Sequence, residues 1–304
     1  MSPATPLPGL VVFGEALTDF VRTGPDSWRS VAGGACWNVA RVAAVLGLPT
    51  GWGGAVSEDL FGQEIIDKSR AAGLDERFLQ VVARPPLLAM VHQLDPPRYF
   101  FLGSDSADLA FDEARLPQGW EAACTFAHFG CISLVRQPLG ARLVQLAQRL
   151  HAAGVPVSFD PNCRILMGAD YPPLFERMAG LASVLKISDE DLRHIYPALD
   201  AERALARVRA LAPQAVLLYT RGSEGMTAFA GDRCIGQPAF RVEVADTVGA
   251  GDACVGGFLA SRLLRPHADL ADHVRFAAAT AAAACTRPGA HAPTHDEVEK
   301  ILAP

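Results

Sequence analysis

The sequence predicts an α/β fold in which a mostly parallel β-sheet is covered by helices on both faces. Strand-like apolar runs alternate with helical patterns along all 304 residues, without an internal repeat or an obvious linker. Polar residues follow several of these runs, as expected where ligands bind at the carboxyl ends of strands. Two stretches, 18–32 and 87–104, break the alternation and predict a small separate β-layer. We therefore expect a single domain over residues 1–304.

Hydrophobic spacing defines the individual elements. Apolar side chains at helical spacing predict helices at Trp37–Leu46, Leu60–Ala72, Leu139–Ala152, Ala201–Leu211 and Val274–Cys285. Continuous apolar runs predict buried strands at Leu10–Phe13, Val155–Phe159, Ser183–Ile187 and Ala215–Thr220. Gly47, Gly73 and Gly154 follow the first three helices, at the position where glycine commonly ends a helix.

Polar residues stand where the predicted strands end. Glu15 follows the first strand, Asp160 follows the second, and Thr220 closes the last one. Because the carboxyl ends of parallel strands share one edge of the sheet, we expect these residues to lie near one ligand site. Ser188 follows another strand and precedes Asp191 by three residues, which predicts a capping-box-like start of a helix.

The two irregular stretches have two interpretations. Residues 87–102 predict a hairpin, with strands at Leu88–Leu94 and Arg98–Leu102 and a turn at Asp95–Pro97. Together with residues 18–32, this hairpin is either a lid over an active site or an ordinary surface structure, and local pattern does not choose between them. Asp105, Ser106 and Asp108 form a polar turn near this layer. Asp105 or Asp108 could contact substrate, but the favoured interpretation is a solvent-exposed turn.

Composition narrows the classes of protein. The net charge of −6 argues against nucleic acid and anionic membrane as partners, since both favour basic patches. Seven scattered cysteines without a C-x-x-C pair predict reduced thiols, a cytoplasmic location and no structural zinc site. The first residues lack the pattern of a signal peptide. The longest nearly apolar run, Phe276–Cys285, is too short to span a bilayer.

The segment Asp246–Asp252 carries the clearest chemical signal. It is a turn of small residues, with glycine at 249 and 251, that opens an apolar helix. Exposed N–H groups at a helix N-terminus bind anions, and glycines let a phosphate approach the backbone. Asp252 is placed to accept the proton of a hydroxyl that attacks phosphorus. The alternative is a plain left-handed turn with Asp252 as a helix cap, and this short segment alone does not separate the two.

Other nucleotide-binding motifs are absent. The sequence contains no G-x-x-x-x-G-K-[ST], which disfavours a P-loop enzyme. An NAD-dependent dehydrogenase would need a glycine fingerprint just after the first strand, where Phe13–Leu17 offers only one glycine.

Taken in chain order, the motifs resemble those of the ribokinase-like (PfkB) sugar kinases. The matching segments run the length of the chain: Gly14-Glu15 with Asp19, Gly33–Ala35 with Asn38, Gly53–Gly62, Asp160–Asn162 with Arg164, Ser188–Glu190, Thr220–Gly225 and Asp246–Asp252. The resemblance implies a three-layer α/β/α sandwich with a mostly parallel sheet and a small β-sheet lid. It also implies a homodimer formed through the lid.

The resemblance assigns roles to residues that match the family motifs. Asp252 would be the general base, and the N–H groups of Gly249, Ala250 and Gly251 would hold the charge of the transition state. Substrate binding would fall to Asp19, Gly33, Gly34, Asn38, Arg98, Ser133 and Arg164. ATP binding would fall to Lys186, Ser188, Thr220, Gly222, Gly225 and Gly251.

Metal ions are implied in the same way. Glu190 would help hold Mg²⁺ through water, beside the phosphates of ATP. A potassium ion would lie beside the anion hole, at the carboxylate of Asp246 and the carbonyls of Val248, Ala284 and Gly289.

Three positions depart from the family pattern. Ser188 replaces the usual asparagine, and Pro293 stands where some members offer a hydroxyl to the potassium ion. Trp37, just before Asn38, either alters the sugar pocket or packs between helices.

The sequence most resembles the fructokinases within the family, which implies transfer of the γ-phosphoryl group of MgATP to fructose, giving fructose 6-phosphate. The resemblance rests on Arg98–Phe101, Gly130–Leu134, Arg164 and Ala284–Ala290. A 2-keto-3-deoxygluconate kinase is the closest rival, because Arg98 or Arg164 could bind its carboxylate, and a ribokinase ranks lower. Either arginine could instead form a surface ion pair. A sugar-binding protein without catalysis would be expected to lack Asp252, which is present.

Overall fold

The computed structural model describes residues 5–94 and 97–303, apart from the side chains of 94–98. Within these ranges the strands are β1 (Leu10–Phe13), β2 (Leu17–Arg22), β3 (Trp28–Gly33), β4 (Thr50–Ser57), β5 (Leu79–Val82), β6 (Leu88–Leu94), β7 (Pro97–Leu102), β8 (Phe126–Gly130), β9 (Val157–Asp160), β10 (Ala182–Ser188), β11 (Val216–Thr220), β12 (Met226–Ala230) and β13 (Arg233–Gln237). The α-helices are α1 (Ala35–Val45), α2 (Leu60–Ala71), α3 (Trp120–Ala123), α4 (Leu139–Ala152), α5 (Pro172–Leu181), α6 (Asp189–Ile195), α7 (Ala201–Leu211), α8 (Ala250–Leu264), α9 (Leu270–Ala284) and α10 (His295–Leu302).

Nine strands form the central sheet, in the order β13-β12-β11-β10-β9-β8-β1-β4-β5. Neighbouring strands are parallel from β11 through to β5, and only β12 and β13 run antiparallel to their neighbours. The predicted mostly parallel sheet is confirmed. Its strands β1, β8, β9 and β10 therefore end side by side at one edge.

Helices cover both faces of this sheet, as predicted. Side chains alternate across the sheet along β1: Val11 and Phe13 pack into one apolar core, and Leu10 and Val12 pack into the other. The first core is closed by α4, α5 and α7, and the second by α1, α8 and α9. The fold is thus a three-layer α/β/α arrangement.

A second, four-stranded sheet is built from the two irregular stretches, in the order β3-β2-β6-β7. Strand β2 pairs antiparallel with β3 and parallel with β6, and β6 forms a hairpin with β7. The predicted small β-layer is therefore present. The tip of its predicted turn, at 95–96, lies outside the described residues.

Several element boundaries differ from the predictions. Helix α9 begins four residues earlier than predicted, because the Asp269 side chain accepts a hydrogen bond from the Ala271 N–H and caps the helix. Strand β9 begins at Val157 rather than Val155. Strand β4 was not predicted, since its glycines weaken a strand pattern. A Cβ on Gly53 would lie 2.6 Å from the ring of Phe13, so packing selects the glycine.

The prediction that the turn at 105–108 is solvated is wrong for most of its residues. Ser106 and Asp108 are almost fully buried. Arg136 donates to the Asp108 carboxylate at 2.8 Å and to the Gly103 carbonyl at 2.6 Å, so a buried ion pair fixes the chain just after β7. Asp105 alone is exposed, where it pairs with Arg84.

All seven cysteines are free thiols, in agreement with the sequence. Among the described residues, no helix combines the length and the apolar character that crossing a membrane requires.

Candidate active site

Asp252 lies at the N-terminus of α8, facing the ends of the central strands. Its carboxylate is almost fully buried. One oxygen, Oδ2, accepts a hydrogen bond from Asn38 Nδ2 at 2.8 Å, and Oδ1 accepts one from Asn162 Nδ2 at 3.2 Å. Asn38 comes from α1 and Asn162 follows β9, so three separate elements meet at this carboxylate. A helix cap bonds to N–H groups of its own first turn, whereas Asp252 faces side chains from elsewhere.

The turn before α8 requires glycine. Gly249 is the N-cap residue and has φ +78°, a left-handed conformation that residues with a Cβ rarely adopt. A Cβ there would also lie 2.8 Å from the Cβ of Ala290. The N–H of Ala250 already donates to the Thr247 carbonyl at 3.2 Å, and that of Ala253 donates to Gly249 at 2.8 Å. No acceptor among the described residues pairs with the Gly251 N–H, so the helix start can receive an anion.

Lys186 brings a buried positive charge to the same place. Its Nζ lies 3.2 Å from Asp160 Oδ2 and 3.6 Å from Asp191 Oδ2. It would lie only 3.3 Å from a Cβ on Gly251, so the ammonium group faces the start of α8. Burial opposes the charge of Lys186, but Asp160 and Asp191 outweigh it and raise the pKa of the lysine above its ordinary value.

Ser188 and Asp191 hold this arrangement together. The Asp191 carboxylate accepts hydrogen bonds from the Ser188 hydroxyl and N–H, while the Ser188 oxygen accepts from the Asp191 N–H, which is the capping box predicted from the sequence. Asp191 also accepts from the Cys163 N–H at 2.7 Å. Glu190, one residue earlier, is exposed.

Two of the buried carboxyls of the site, those of Asp252 and Asp160, hold their protons more tightly than usual. Burial raises the pKa of Asp252 to about 6, against the opposing hydrogen bond from Asn38. Burial likewise raises the pKa of Asp160 to about 6, against the opposing charge of Lys186. Asp252 is thus ionised at pH 7 and above, with a basicity suited to accepting a proton near neutral pH.

Some buried polar side-chain atoms lack a hydrogen-bond partner among the described residues, and one of them belongs to Asn38, which contacts Asp252. The Oδ1 atom of Asn38 and the hydroxyl of Thr18 are buried, and neither has a hydrogen-bond partner among the described residues. Buried polar atoms of this kind are rare unless a ligand or water completes them. Hydroxyl groups of a sugar would supply the missing donors and acceptors.

Asp19 lies on β2, in the small sheet, beside the start of α1. A Cβ on Gly33 would lie 2.7 Å from its Oδ2, so the glycine leaves room for the carboxylate. Burial raises the pKa of Asp19 to about 6, and the charge of Arg164 opposes the shift. Gly34, at φ +120°, is the N-cap of α1 and packs against the Glu15 backbone, where a Cβ would lie 2.7 Å from the Glu15 oxygen.

Arg164 and Ser133 are both engaged within the protein. Arg164 donates to Asn162 Oδ1 at 2.6 Å, so it orients the amide that contacts Asp252. The Ser133 hydroxyl is fully buried and donates to the Glu15 carboxylate, while it accepts from the Glu15 N–H at 2.7 Å. The side chain of Arg98 lies outside the described part of the chain. Trp37 is fully buried and donates to Ser69, which agrees with its packing interpretation.

The segment after β11 forms a glycine turn next to the site. Thr220 is the register partner of Ser188 across the sheet. Gly222 and Gly225 have φ of +49° and +96°, and the Arg221 N–H closes the turn on the Gly225 carbonyl at 2.8 Å. A Cβ on Gly225 would lie 2.2 Å from the Gln237 carbonyl, so the turn depends on this glycine.

Asp246 ties two loops together. Its carboxylate accepts from the Val248 N–H at 3.0 Å and from the Gly289 N–H at 2.8 Å. The Gly289 carbonyl in turn accepts from the His291 N–H at 2.7 Å. Ala284, the last residue of α9, is fully buried. Within the described ranges, no three His, Cys, Asp or Glu side chains form a group that could hold a metal ion.

The structure brings together Asn38, Asp252, Gly251 and Lys186, and places Thr220 beside Ser188. Asn162 belongs to a segment that resembles the family motifs, but neither Asn162 nor Asp191 was assigned an individual role at the site, although both contact site residues directly. Asn162 stands two residues after the end of β9, so its position at a strand end was an available signal. Asp191 had been assigned only to the helix cap.

This chain is similar to known proteins over most of its length. Residues 8–297 match the model of the pfkB family of carbohydrate kinases. A fructokinase of Rhizobium leguminosarum bv. trifolii is 33% identical over 82% of this chain and 78% of its own length. A fructokinase of Klebsiella pneumoniae is 31% identical over 96% of this chain and 98% of its own. The chain therefore belongs to the pfkB family of carbohydrate kinases and is a sugar phosphotransferase.

A solved structure extends the similarity to the whole fold. The fructokinase of Xylella fastidiosa with bound ATP superposes with a TM-score of 0.87 at 29% identity, covering 97% of this chain and 98% of the other. The expected ribokinase-like architecture is thereby confirmed.

Proposed function

We propose that this protein is an ATP-dependent fructokinase that converts fructose to fructose 6-phosphate, with Asp252 as the general base. The observation that carries the proposal is the buried Asp252 carboxylate at the start of α8, which two side-chain amides hold. Beside it lies Oδ1 of Asn38, for which the described residues supply no hydrogen-bond partner. The similarity to fructokinases, one of them a structure with bound ATP, supports the choice of sugar and of phosphoryl donor.

The residues of the site fit each part of the transfer. The sugar hydroxyl attacks the γ-phosphorus, its proton passes to an Asp252 oxygen, and the bond from the γ-phosphorus to the β–γ bridging oxygen breaks. The backbone at Gly249, Ala250 and Gly251 stabilises the charge on the transferred group, although the Ala250 N–H must weaken its bond to Thr247 to take part. Lys186 lies on β10, and its ammonium group adds a fixed positive charge beside the start of α8.

The sugar pocket favours a neutral sugar. Asp19, Gly33, Gly34 and Asn38 line the side facing the small sheet, and Arg98, Ser133 and Arg164 complete the proposed set. Asp19 is an anion at neutral pH, and its charge interacts with that of Arg164. A substrate carboxylate such as that of 2-keto-3-deoxygluconate would meet this anion, whereas a fructose hydroxyl can donate a hydrogen bond to it.

The nucleotide would lie along the ends of β10 and β11. Thr220, Gly222 and Gly225 form the turn there, and Lys186 and Ser188 lie at the end of the neighbouring strand. A bound Mg²⁺ would neutralise part of the charge on the phosphates of ATP. Glu190 would hold it through water, since it is exposed and the nearby Asp160 and Asp191 carboxylates are engaged by Lys186.

A potassium site at Asp246, Val248, Ala284 and Gly289 is part of the proposal. Asp246 joins the two loops that would supply the carbonyls, which fits a cation between them. The Gly289 carbonyl and the carboxylate already accept N–H donors, so the ion would share these oxygens with the backbone. Turnover measured with K⁺ and then with tetramethylammonium at equal ionic strength tests this site.

The small sheet is proposed to serve as a lid and as the interface of a homodimer. Its edge strands β3 and β7 carry exposed apolar side chains, namely Trp28, Phe100 and Leu102. Such residues at open sheet edges favour pairing with another chain. Light scattering coupled to gel filtration should give a dimer for the natural chain and a monomer for Phe100→Lys.

The position of phosphorylation has a direct test. The product formed from fructose and MgATP is passed to phosphoglucose isomerase and glucose-6-phosphate dehydrogenase, which respond to fructose 6-phosphate and not to fructose 1-phosphate. NADPH formation equal to ADP formation supports the proposal. ADP formation without NADPH would place the phosphate on another hydroxyl.

A further inference from the structure

Arg41 is a largely buried cation that pairs with no acidic side chain among the described residues. It lies on α1, one turn after Asn38, and burial lowers the pKa of its guanidinium with no carboxylate opposing the shift. Its Nε atom is buried and has no hydrogen-bond partner among the described residues. No ion pair to Arg41 forms within the ranges that the structure describes. Burying a charge without an ionic partner destabilises a fold. We therefore expect Arg41 to contribute to structure or catalysis in a way that offsets this cost.

Two contacts fix the guanidinium. It stacks over the ring of Trp37, with 4.4 Å from Cζ to the ring centroid. The indole is itself held, because Trp37 Nε1 donates to Ser69 at 2.9 Å. On the other side, Arg41 Nη1 donates to the Ala290 carbonyl at 3.3 Å. The arginine therefore links α1 to the loop 285–291.

This loop packs directly against the turn that begins α8. A Cβ on Gly249 would lie 2.8 Å from Ala290 Cβ, so the two backbones are in contact. Gly289, next to Ala290, donates to Asp246, which also accepts from Val248 within the turn. A displacement of Ala290 would therefore also displace Gly249.

We propose that Arg41 is a positioning residue for phosphoryl transfer: its guanidinium, anchored on Trp37, holds Ala290 against Gly249 and so fixes the anion-binding start of α8. The inference rests on the sugar-kinase activity and on the role proposed for the 249–251 turn. Within the described part of the chain, Arg41 forms no hydrogen bond or ion pair with Asp252 or with the residues proposed to bind the sugar. Its loss therefore changes the geometry of the turn and leaves sugar recognition in place.

The test compares Arg41→Met and Arg41→Lys with the natural chain. Methionine retains an apolar side chain over Trp37 but has no charge and no donor, while lysine keeps a charge and a donor. We expect Arg41→Met to lower kcat roughly 10- to 100-fold, since small misplacements of reacting groups have effects of this size. The KM for fructose should change less than about threefold. This is a small change in free energy, because a tenfold change corresponds to about 1.4 kcal/mol. Arg41→Lys should recover part of kcat.

Two further readouts separate positioning from a general loss of stability. Hydrogen exchange of the backbone over 285–291 should become faster in Arg41→Met, with exchange in the central strands unchanged. Free guanidinium ion, at concentrations that do not unfold the protein, should restore part of kcat. Arg265→Met is the matched control, because Arg265 also lies over a ring, that of Phe276 at 4.7 Å, but at the opposite end of α8. It should change kcat little.

The proposal on Arg41 is overturned if kcat of Arg41→Met equals that of the natural chain, or if exchange over 285–291 does not change. A fall in kcat that guanidinium does not relieve, matched by an equal fall in Arg265→Met, also overturns it. Failure of the natural chain to phosphorylate fructose would count against the proposed substrate alone. In that case the hydrogen exchange of residues 285–291 would still test whether Arg41 holds this loop in place.

Discussion

Replacing Asp252 by asparagine removes the proposed base and leaves the shape of the side chain unchanged. Both Asp252 oxygens accept hydrogen bonds from amide groups, those of Asn38 and Asn162. The amide nitrogen introduced by Asp252→Asn would face one of these donors. Asn38 can rotate its amide and offer Oδ1, which has no partner among the described residues, as the acceptor. The fold is therefore expected to tolerate the substitution.

The same substitution should stabilise the protein above pH 6. Burial raises the pKa of Asp252 from 3.8 to about 6, so the folded state binds the proton more tightly than the unfolded state. The charged carboxylate then weakens folding, an effect that develops between pH 3.8 and about 6 and is complete above it. The difference between a pKa of 3.8 and one of about 6 corresponds to about 3 kcal/mol of folding free energy. For a chain of 304 residues, that raises Tm by roughly 5 °C at pH 8, and by little at pH 4.

The same substitution should lower the catalytic rate although it raises the stability of the fold. Loss of a general base lowers kcat by a factor of about 10² to 10⁴, or about 3 to 5 kcal/mol of barrier. The assay is ADP release with saturating fructose and MgATP, alongside calorimetric Tm and ATP affinity. A stable variant that binds ATP normally and turns over slowly supports the role of Asp252. Near-normal kcat would refute it, and a lowered Tm at pH 8 would refute the account of its burial.

The remaining predictions concern acid pH and the sugar pocket. Below about pH 6, kcat/KM should fall roughly tenfold per pH unit as Asp252 takes up a proton. The circular dichroism spectrum should remain native down to pH 5, because protonation of the buried Asp252 and Asp160 favours the folded state. A constant kcat/KM from pH 7.5 to pH 5 would contradict the assignment of Asp252 as the base. Asp19→Ala should raise the KM for fructose roughly 10- to 100-fold through loss of a hydrogen bond to a charged group, with the KM for ATP unchanged; equal losses for both substrates would indicate a folding defect instead.

The sequence predicted the layers of the fold because their signals are local. Hydrophobic spacing along α4 and α7 predicted their bounds as observed, since one face of each helix is buried and the other is exposed. Strand β4 carried no such signal. Two of its glycines, Gly51 and Gly53, are explained by the rings of Phe78 and Phe13, which lie at other points of the chain.

The residues of the site likewise fall into those that local sequence predicts and those that it does not. Asp252 and its glycines were identifiable from the sequence, because a short turn, its conformation and a helix start lie within one segment. The contact of Asn162 with Asp252 and the contact of Arg41 with Ala290 join positions 90 and 249 residues apart. Such pairings depend on the packing of separate elements, which no local pattern in one sequence specifies. The burial of Ser106 and Asp108 was mispredicted for that reason, since it depends on the distant Arg136.

The measurement that tests the central claim most directly is sugar-stimulated ADP formation by the natural chain, with Mg²⁺ and K⁺ present and with fructose, 2-keto-3-deoxygluconate, ribose, adenosine or no acceptor. Asp252→Asn is run in parallel as the control. We expect turnover with fructose to exceed that with every other acceptor and to be nearly lost in Asp252→Asn. Preference for 2-keto-3-deoxygluconate would contradict the proposed sugar. Folded protein without turnover on any acceptor, or turnover that survives Asp252→Asn, would contradict the assignment of this site as the catalytic centre.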